Sequence, residues 1–200
     1  MTSVHFFDQD DLDHYIESGD PLLAYLGRPG CSHLMGERWL LDSIVKRMVA
    51  WRVYQDLLVT SGRRILDIGA GHSSLVLALA ERHDYRVIEL GAHDPPPSGV
   101  VEDWRDVGFD CDLLISVDLF PNVDQGLAAF LAKRIGIETR IVLTTYADRT
   151  YRVKRLDAEE VLTLQAWTWP QTEAVLGLRG VPPDESLSPN GRQVCLAMLS

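Results

Sequence analysis

Short apolar runs and helical stretches alternate through the middle of the chain. The runs read as buried strands and cover residues 63–69, 85–90, 99–104, 111–118 and 139–146. Helices are predicted over residues 36–59, 73–83 and 124–135, the first from apolar residues that recur at three- and four-residue steps. This alternation predicts a largely parallel sheet with helices on both faces.

The two ends of the chain have a less regular pattern. An acidic helix is predicted near residues 8–19, and further helices over 157–167 and from Pro170 to about residue 178. Residues 191–199 read as a final strand, whereas the proline-rich segment 91–98 is too short for a crossover helix and is predicted to be an extended strap. The pattern shows no linker, so we expect one domain, in which the helical segment 1–60 covers a substrate site built on 61–200.

Composition narrows the classes of function. The chain has 200 residues, 46% of them hydrophobic, which is enough for a substantial core, and a formal net charge of −10. An acidic chain without Lys/Arg clusters argues against broad binding of nucleic acid. No apolar stretch reaches the roughly 20 residues that span a bilayer. Separated cysteines and an acidic N-terminal segment predict reduced thiols in the cytoplasm, and scattered histidines predict no metal site.

The segment ILDIGAGHSS at 65–74 carries the clearest chemical signal. A strand ends in Asp67 and turns through Gly69 and Gly71 into a helix, which is how a backbone approaches a nucleotide at the carboxyl edge of a sheet. Glu89 ends the next strand about twenty residues later, where a carboxylate can accept hydrogen bonds from a ribose diol. Together these features predict an adenosine site.

Two kinds of cofactor use such a turn. A dinucleotide fingerprint needs a third glycine, and its place is taken by Ser74. Asp67 is moreover a poor neighbour for a pyrophosphate and a good partner for an amino group. An NAD-dependent oxidoreductase is therefore the weaker of the two alternatives.

The glycine segment and three later ones resemble the motifs of class I S-adenosylmethionine-dependent methyltransferases. The first motif of that family is an apolar strand, Asp or Glu, an apolar residue and Gly-x-Gly-x-Gly. ILDIGAGHS matches it through Gly71 and departs at the last glycine, which is Ser73. RVIELG (86–91), VEDW (101–104) and DLLISVDLF (112–120) are similar, in order, to the segments at the second, third and fourth strands.

The resemblance implies a role for each acid. Asp67 would meet the ammonium of the cofactor, Glu89 the ribose, and Asp103 the adenine amino group, with Trp104 beside the ring. The full cofactor set that it implies is Asp67, Gly69, Ala70, Gly71, Ser73, Glu89, Leu90, Asp103, Trp104 and Ser116. Simpler interpretations stay open, with Asp67 as a helix cap, Glu89 as a solvated acid and Glu102 in place of Asp103.

The resemblance also implies a fold and an activity. The fold is a Rossmann-like three-layer α/β/α sandwich, whose mostly parallel seven-stranded sheet has an antiparallel last strand. Residues 191–199 fit that strand, but its partner, the sixth, is poorly marked. The activity is methyl transfer to O, N or C of a small-molecule acceptor, with S-adenosyl-L-methionine as cofactor and no metal. A non-catalytic scaffold of the same fold is the alternative, and a homodimer is compatible with either.

The acceptor side of the site is marked more weakly. His72, Asp118 and Tyr146 are the candidates for removing a proton from the acceptor, because the predicted strands and turn place them at the ligand edge of the sheet. Local structural roles remain open for His72 and Asp118. Trp167 and Trp169 either line an apolar pocket or belong to the core. A magnesium site of Asp118, Asn122 and Asp148 has no diagnostic spacing.

Overall fold

The computed structural model describes most of the sheet and the helices that cover it. The described residues are 2–27, 40, 43–70, 74–88, 110–120, 134, 136–145, 150–154, 161–165, 168–187 and 193–200, with only the backbone described for 118–120, 150–154 and 161–165. The strand predicted over 99–104 and the strap over 91–98 lie outside these residues, as does the helix predicted over 124–135 except for residue 134.

Six of the described strands form one mixed sheet, and two more form a separate ribbon. In chain order the strands of the sheet are β1 (Ser3–Phe6), β2 (Arg64–Ile68), β3 (Asp84–Ile88), β4 (Leu113–Phe120), β5 (Glu138–Thr145) and β8 (Gln193–Leu199). Their order across the sheet is β1-β8-β5-β4-β2-β3. The neighbours β3, β2, β4 and β5 are parallel, while β8 is antiparallel to both β5 and β1.

This topology creates one crevice at the carboxyl edge of the sheet. From β2 the chain moves outward to β3 and then returns to the other side of β2 to form β4. Open α/β sheets bind their ligands where the strand order reverses in this way. The fold is thus the predicted Rossmann-like α/β architecture, and its last strand is antiparallel as expected.

Hydrophobic side chains form a core on each face of the sheet. The first core lies under helices α3 (Ile44–Tyr54) and α4 (Ser74–Ala80) and contains Ile65, Val87 and Ile115 from the strands. The second core contains Leu66, Ile88 and Leu114, together with Trp169 of α5 (Trp169–Leu176). Because adjacent residues of a strand point to opposite faces, the strands β2, β3, β4, β5 and β8 each contribute to both cores, whereas β1 packs on the second.

The N-terminal segment is joined to the sheet. Strand β1 pairs with β8 at the edge of the sheet. It therefore lies beside the last strand, where the resemblance implies a sixth strand that the sequence marks poorly. Helices α1 (Gln9–Glu17) and α2 (Pro21–Leu26) follow, the first opened by a capping box at Asp8. Helix α3 is shorter than the predicted 36–59, because Ser43 caps its N-terminus and the chain turns after Tyr54.

The helix predicted over 157–167 is wrong. The described part of this segment is strand β7 (Val161–Gln165), which pairs antiparallel with β6 (Thr150–Lys154) in a two-stranded ribbon. In VLTLQ and TYRVK, β-branched, aromatic or leucine residues alternate with polar ones over part of each strand. Such residues favour a strand, and the cross-strand pairing overrides the weak helical pattern around it.

Arg47 attaches the N-terminal helices to α3. Its guanidinium is nearly buried, donates to both carboxylate oxygens of Asp20, at 3.2 and 2.9 Å from Nε, and reaches the carbonyl of Leu40 at 3.2 Å. Burial raises the pKa of the Asp20 carboxyl, but the hydrogen bonds from Arg47 and Tyr15 outweigh this effect and lower the pKa below its ordinary value of 3.8. Asp20 is therefore held as an anion.

Removing the guanidinium of Arg47 should lower the free energy of unfolding. Arg47→Met leaves the Asp20 charge largely buried without its partner, and we expect a loss of roughly 3 kcal/mol in unfolding free energy. Arg52→Met is the matched control, because Arg52 is exposed on the same helix, and it should change little. Urea unfolding followed by circular dichroism measures both. Equal losses in the two variants would contradict this role of Arg47.

A second ion-pair cluster joins α3 to the amino end of the sheet. The Arg140 guanidinium donates to both oxygens of Asp56 at 2.7 Å and to Glu138 at 3.1 Å, while Arg63 bonds the other oxygen of Glu138 at 2.8 Å. Burial raises the pKa of each carboxyl, but the arginines more than compensate and lower the pKa of Asp56 and of Glu138.

The cluster predicts a particular dependence of stability on pH. Carboxyls with lowered pKa values in the folded state stabilise fully above their ordinary values, 3.8 for Asp56 and 4.5 for Glu138. This contribution disappears as the pH falls through the folded-state values. We expect the unfolding free energy of Arg140→Met to fall less steeply below about pH 4.5 than that of the parent. Urea titrations at a series of pH values test this, and identical slopes would refute it.

Candidate active site

The turn after β2 stands at the crevice between β2 and β4. Gly69 has φ of 76°, in the left-handed region that favours glycine, and its N–H donates to the carbonyl of Ile88 at 2.8 Å. This hydrogen bond attaches the turn to the end of β3. Backbone rather than side chain thus lines the beginning of the loop, as close approach to a ligand requires.

Asp67 lies within the protein, immediately before this turn. Its side chain has no exposed surface, and Oδ2 accepts hydrogen bonds from Tyr54 Oη at 2.7 Å and from Tyr85 Oη at 2.5 Å. Both tyrosines are themselves more than nine-tenths buried. A buried carboxylate needs such donors, because loss of hydration is otherwise very costly.

The two tyrosines are functional candidates that the sequence did not reveal. In the register of β2 and β3, Tyr85 lies opposite Ile65, two residues from the partner of Asp67 and on the same face of the sheet. A side chain as long as tyrosine spans that diagonal. Aligning RILDI with DYRVI could have found Tyr85. Tyr54 comes from the end of α3, and no local pattern indicates its partner.

Two hydroxyl groups lie on the other face, also towards the carboxyl edge. Ser116 is opposite Ile68 in the register, so it points to the second core, whereas Asp67 points to the first. Ser116 Oγ and Thr145 Oγ1 are buried and have no hydrogen-bond partner among the residues that the structure describes. The structure therefore brings Asp67 and Ser116 to neighbouring strands but not to one face.

The structure describes part of the predicted site. Ala70 follows the turn and packs against the first core. Helix α4 begins at Ser74, as the prediction of a helix from about residue 73 requires. The backbone of Asp118 lies in the carboxyl half of β4, next to a register irregularity between Val117 and Phe120. The other predicted site residues lie outside the described ranges: Gly71, His72, Ser73, Glu89, Leu90, Asp103, Trp104 and Tyr146.

Trp169 belongs to the core. It is 7% exposed, its ring contacts Phe6 edge-on with centroids 4.8 Å apart, and its indole N–H donates to the Gly180 carbonyl at 2.9 Å. Trp167 lies outside the described residues, as do Asn122 and Asp148 of the weak magnesium alternative. Across the described ranges, no group of three His, Cys, Asp or Glu side chains could hold a metal ion.

Comparison with known proteins identifies the class of fold. A structure described as a putative S-adenosylmethionine-dependent methyltransferase from Listeria monocytogenes is 9% identical, covers 75% of this chain and 96% of its own, and has a TM-score of 0.50. An S-adenosylmethionine-dependent methyltransferase from Mesorhizobium loti is 13% identical, covers 76% and 98%, and also scores 0.50. The PH0226 protein from Pyrococcus horikoshii is 12% identical, covers 78% and 92%, and scores 0.51.

The chain therefore has the fold of class I S-adenosylmethionine-dependent methyltransferases. No protein-family model matches the sequence, and the comparison with curated proteins found no match. The similarity is thus one of architecture, and the cofactor and activity have to be argued from the site.

A pair of glycine variants should separate the effect of backbone strain on stability from an effect on ligand binding. Gly69 and Gly62 both have positive φ, 76° and 83°, and alanine at either position should cost roughly 1 kcal/mol of unfolding free energy. Gly62 stands before β2, at the opposite end of the strand from the crevice. Only Gly69→Ala should also weaken binding of S-adenosylhomocysteine, measured by calorimetry. Equal affinities in both variants would place the ligand elsewhere.

Proposed function

We propose that the chain is an S-adenosylmethionine-dependent methyltransferase that acts on a small molecule. The observation that carries the proposal is the joint position of Gly69 and Asp67, a left-handed glycine turn directly after a buried carboxylate, at the point where the strand order reverses. The fold, which structures described as methyltransferases share, supports the same assignment.

The residues present fit this cofactor. An anion placed just before a glycine turn suits a ligand that carries an ammonium group near its adenosine, and repels a pyrophosphate. Glu89 follows the described end of β3 at Ile88, and as a strand-end acid it would hold the ribose diol. The resemblance assigns Asp103 and Trp104 to the adenine and includes Leu90 in the cofactor set. The turn residues Gly69 to Ser73, with Ser116 on the neighbouring strand, would complete the set.

The protein needs to supply orientation more than covalent chemistry. When bound, S-adenosylmethionine supplies an electrophilic methyl group that an acceptor O, N or C takes by in-line displacement. The chain then has to align the acceptor and exclude water. An acceptor hydroxyl or ammonium must also lose a proton, and we assign this step to His72, Asp118 or Tyr146, which the sequence pattern predicts to lie at the carboxyl edge.

Charge and size favour a small acceptor. The net charge of −10 disfavours nucleic acid as the acceptor. Much of the N-terminal segment packs in the sheet and on α3 and is therefore not available to bind a large acceptor.

Cys111 and Cys195 are free and buried, which suits the reducing cytoplasm that we propose for this enzyme. In the part of the chain that the structure describes, no helix has the length and hydropathy to cross a membrane.

Calorimetry tests the cofactor directly. We expect the purified chain to bind both S-adenosylmethionine and S-adenosylhomocysteine. Glu89→Ala should weaken each by tenfold or more, because a carboxylate that bonds the ribose diol makes charge-assisted hydrogen bonds worth about 1.5 kcal/mol or more. Glu81→Ala is the control, because Glu81 is exposed and stands before β3, at the opposite end of that strand from Glu89, and it should keep both affinities.

The outcomes separate the alternatives. Absence of binding to either sulfur compound would refute the proposal, and binding of NAD instead would favour an oxidoreductase. Tight binding without methyl transfer to any of a panel of small O-, N- and C-nucleophiles would favour a non-catalytic scaffold. Size-exclusion chromatography with light scattering would determine whether the protein is a homodimer.

A further inference from the structure

The cluster of Asp67, Tyr54 and Tyr85 joins three elements at one buried point. The carboxylate comes from β2, one phenol from the last residue of α3 and the other from β3. Exposed fractions are 0% for Asp67, 4% for Tyr54 and 3% for Tyr85. Water therefore has little access to the group, and its orientation is set by its protein partners.

The two hydrogen bonds determine which oxygen can face a ligand. Both phenols donate to Oδ2, at 2.7 and 2.5 Å. A carboxylate oxygen has two lone pairs in the plane of the group, so these two donors occupy Oδ2. Contact between Asp67 and a ligand must go through Oδ1. The phenols thus fix the plane of the carboxylate and also satisfy the hydrogen-bonding capacity of one of its two oxygens.

The cluster is held in register with the turn. Asp67 is two residues before Gly69, whose N–H is bonded to Ile88, and Ile88 is three residues after Tyr85 on the same strand. The carboxylate and the turn are therefore fixed to the same pair of strands. A displacement of either phenol would change the direction of the carboxylate relative to the turn.

We infer that Tyr54 and Tyr85 are positioning residues that hold Asp67 as an oriented anion for the amino-acid end of S-adenosylmethionine. The inference rests on the proposed function. Hydrogen bonds from both phenols stabilise the ionised carboxylate. They set its direction towards the ammonium of the ligand, while the adenosine end is held by other residues.

Ligands with and without the amino acid test this inference. S-adenosylhomocysteine carries the ammonium, whereas 5′-methylthioadenosine has the same adenosine and lacks the amino acid. We expect Tyr54→Phe and Tyr85→Phe each to weaken S-adenosylhomocysteine by about tenfold and to leave 5′-methylthioadenosine unchanged. A purely structural role would weaken both ligands alike or neither.

Tyr15→Phe is the matched control. Tyr15 is equally buried and donates to the carboxylate of Asp20 at 2.7 Å, in the N-terminal helices and not at the turn. This variant should lose stability to thermal unfolding as the other two do, and keep its affinity for both ligands. A loss confined to S-adenosylhomocysteine in Tyr15→Phe as well would overturn the inference.

Asp67→Asn keeps the test decisive if a phenylalanine variant does not fold. The amide has the shape of the carboxylate and its oxygen can still accept from the phenols, but the charge is gone. It should weaken S-adenosylhomocysteine selectively, and an equal effect on both ligands would overturn the inference. If the parent binds S-adenosylhomocysteine and both phenylalanine variants keep its affinity, the inference fails alone. If the parent binds neither S-adenosylmethionine nor S-adenosylhomocysteine, the proposed function fails with it.

Discussion

A charge buried in a protein has to be hydrogen-bonded, and this requirement determines how the elements meet at the centre of this fold. Asp67 has no exposed surface, so β2 can keep it only if donors reach it from neighbouring elements. The last residue of α3 supplies one donor and β3 the other. Helix α3 is therefore fixed at this end by a polar contact and along its length by the first core.

The N-terminal residues complete this arrangement. Strand β1 gives β8 a second neighbour, and Arg47 connects the loop before α2 to α3. The N-terminal segment, which the sequence predicts to cover the site, is thus attached to the sheet at one end and to α3 at the other.

Hydrophobic periodicity and glycine turns are the features of the sequence from which parts of the fold could be predicted. The parallel strands, the antiparallel last strand and the turn at Gly69 follow from apolar runs and the resemblance of four ordered segments. Strand β1 has only four residues at an edge, too few for a periodic signal. The ribbon of β6 and β7 depends on pairing between segments rather than on either alone. Tyr54 depends on helix packing, which no local pattern reveals.

The position of Asp67 bears on the missing third glycine of the motif. In a dinucleotide site the helix N-terminus and glycines receive a pyrophosphate, and a fixed anion two residues away would oppose that charge. The phenols on Asp67 cannot remove this opposition, since hydrogen bonds of this kind stabilise the ionised form. A ligand with an ammonium group turns the same charge into an attraction. The anion thus disfavours a pyrophosphate independently of the third glycine, which in a dinucleotide site serves close packing of the helix on the strand and whose place is taken by Ser74, the first residue of α4.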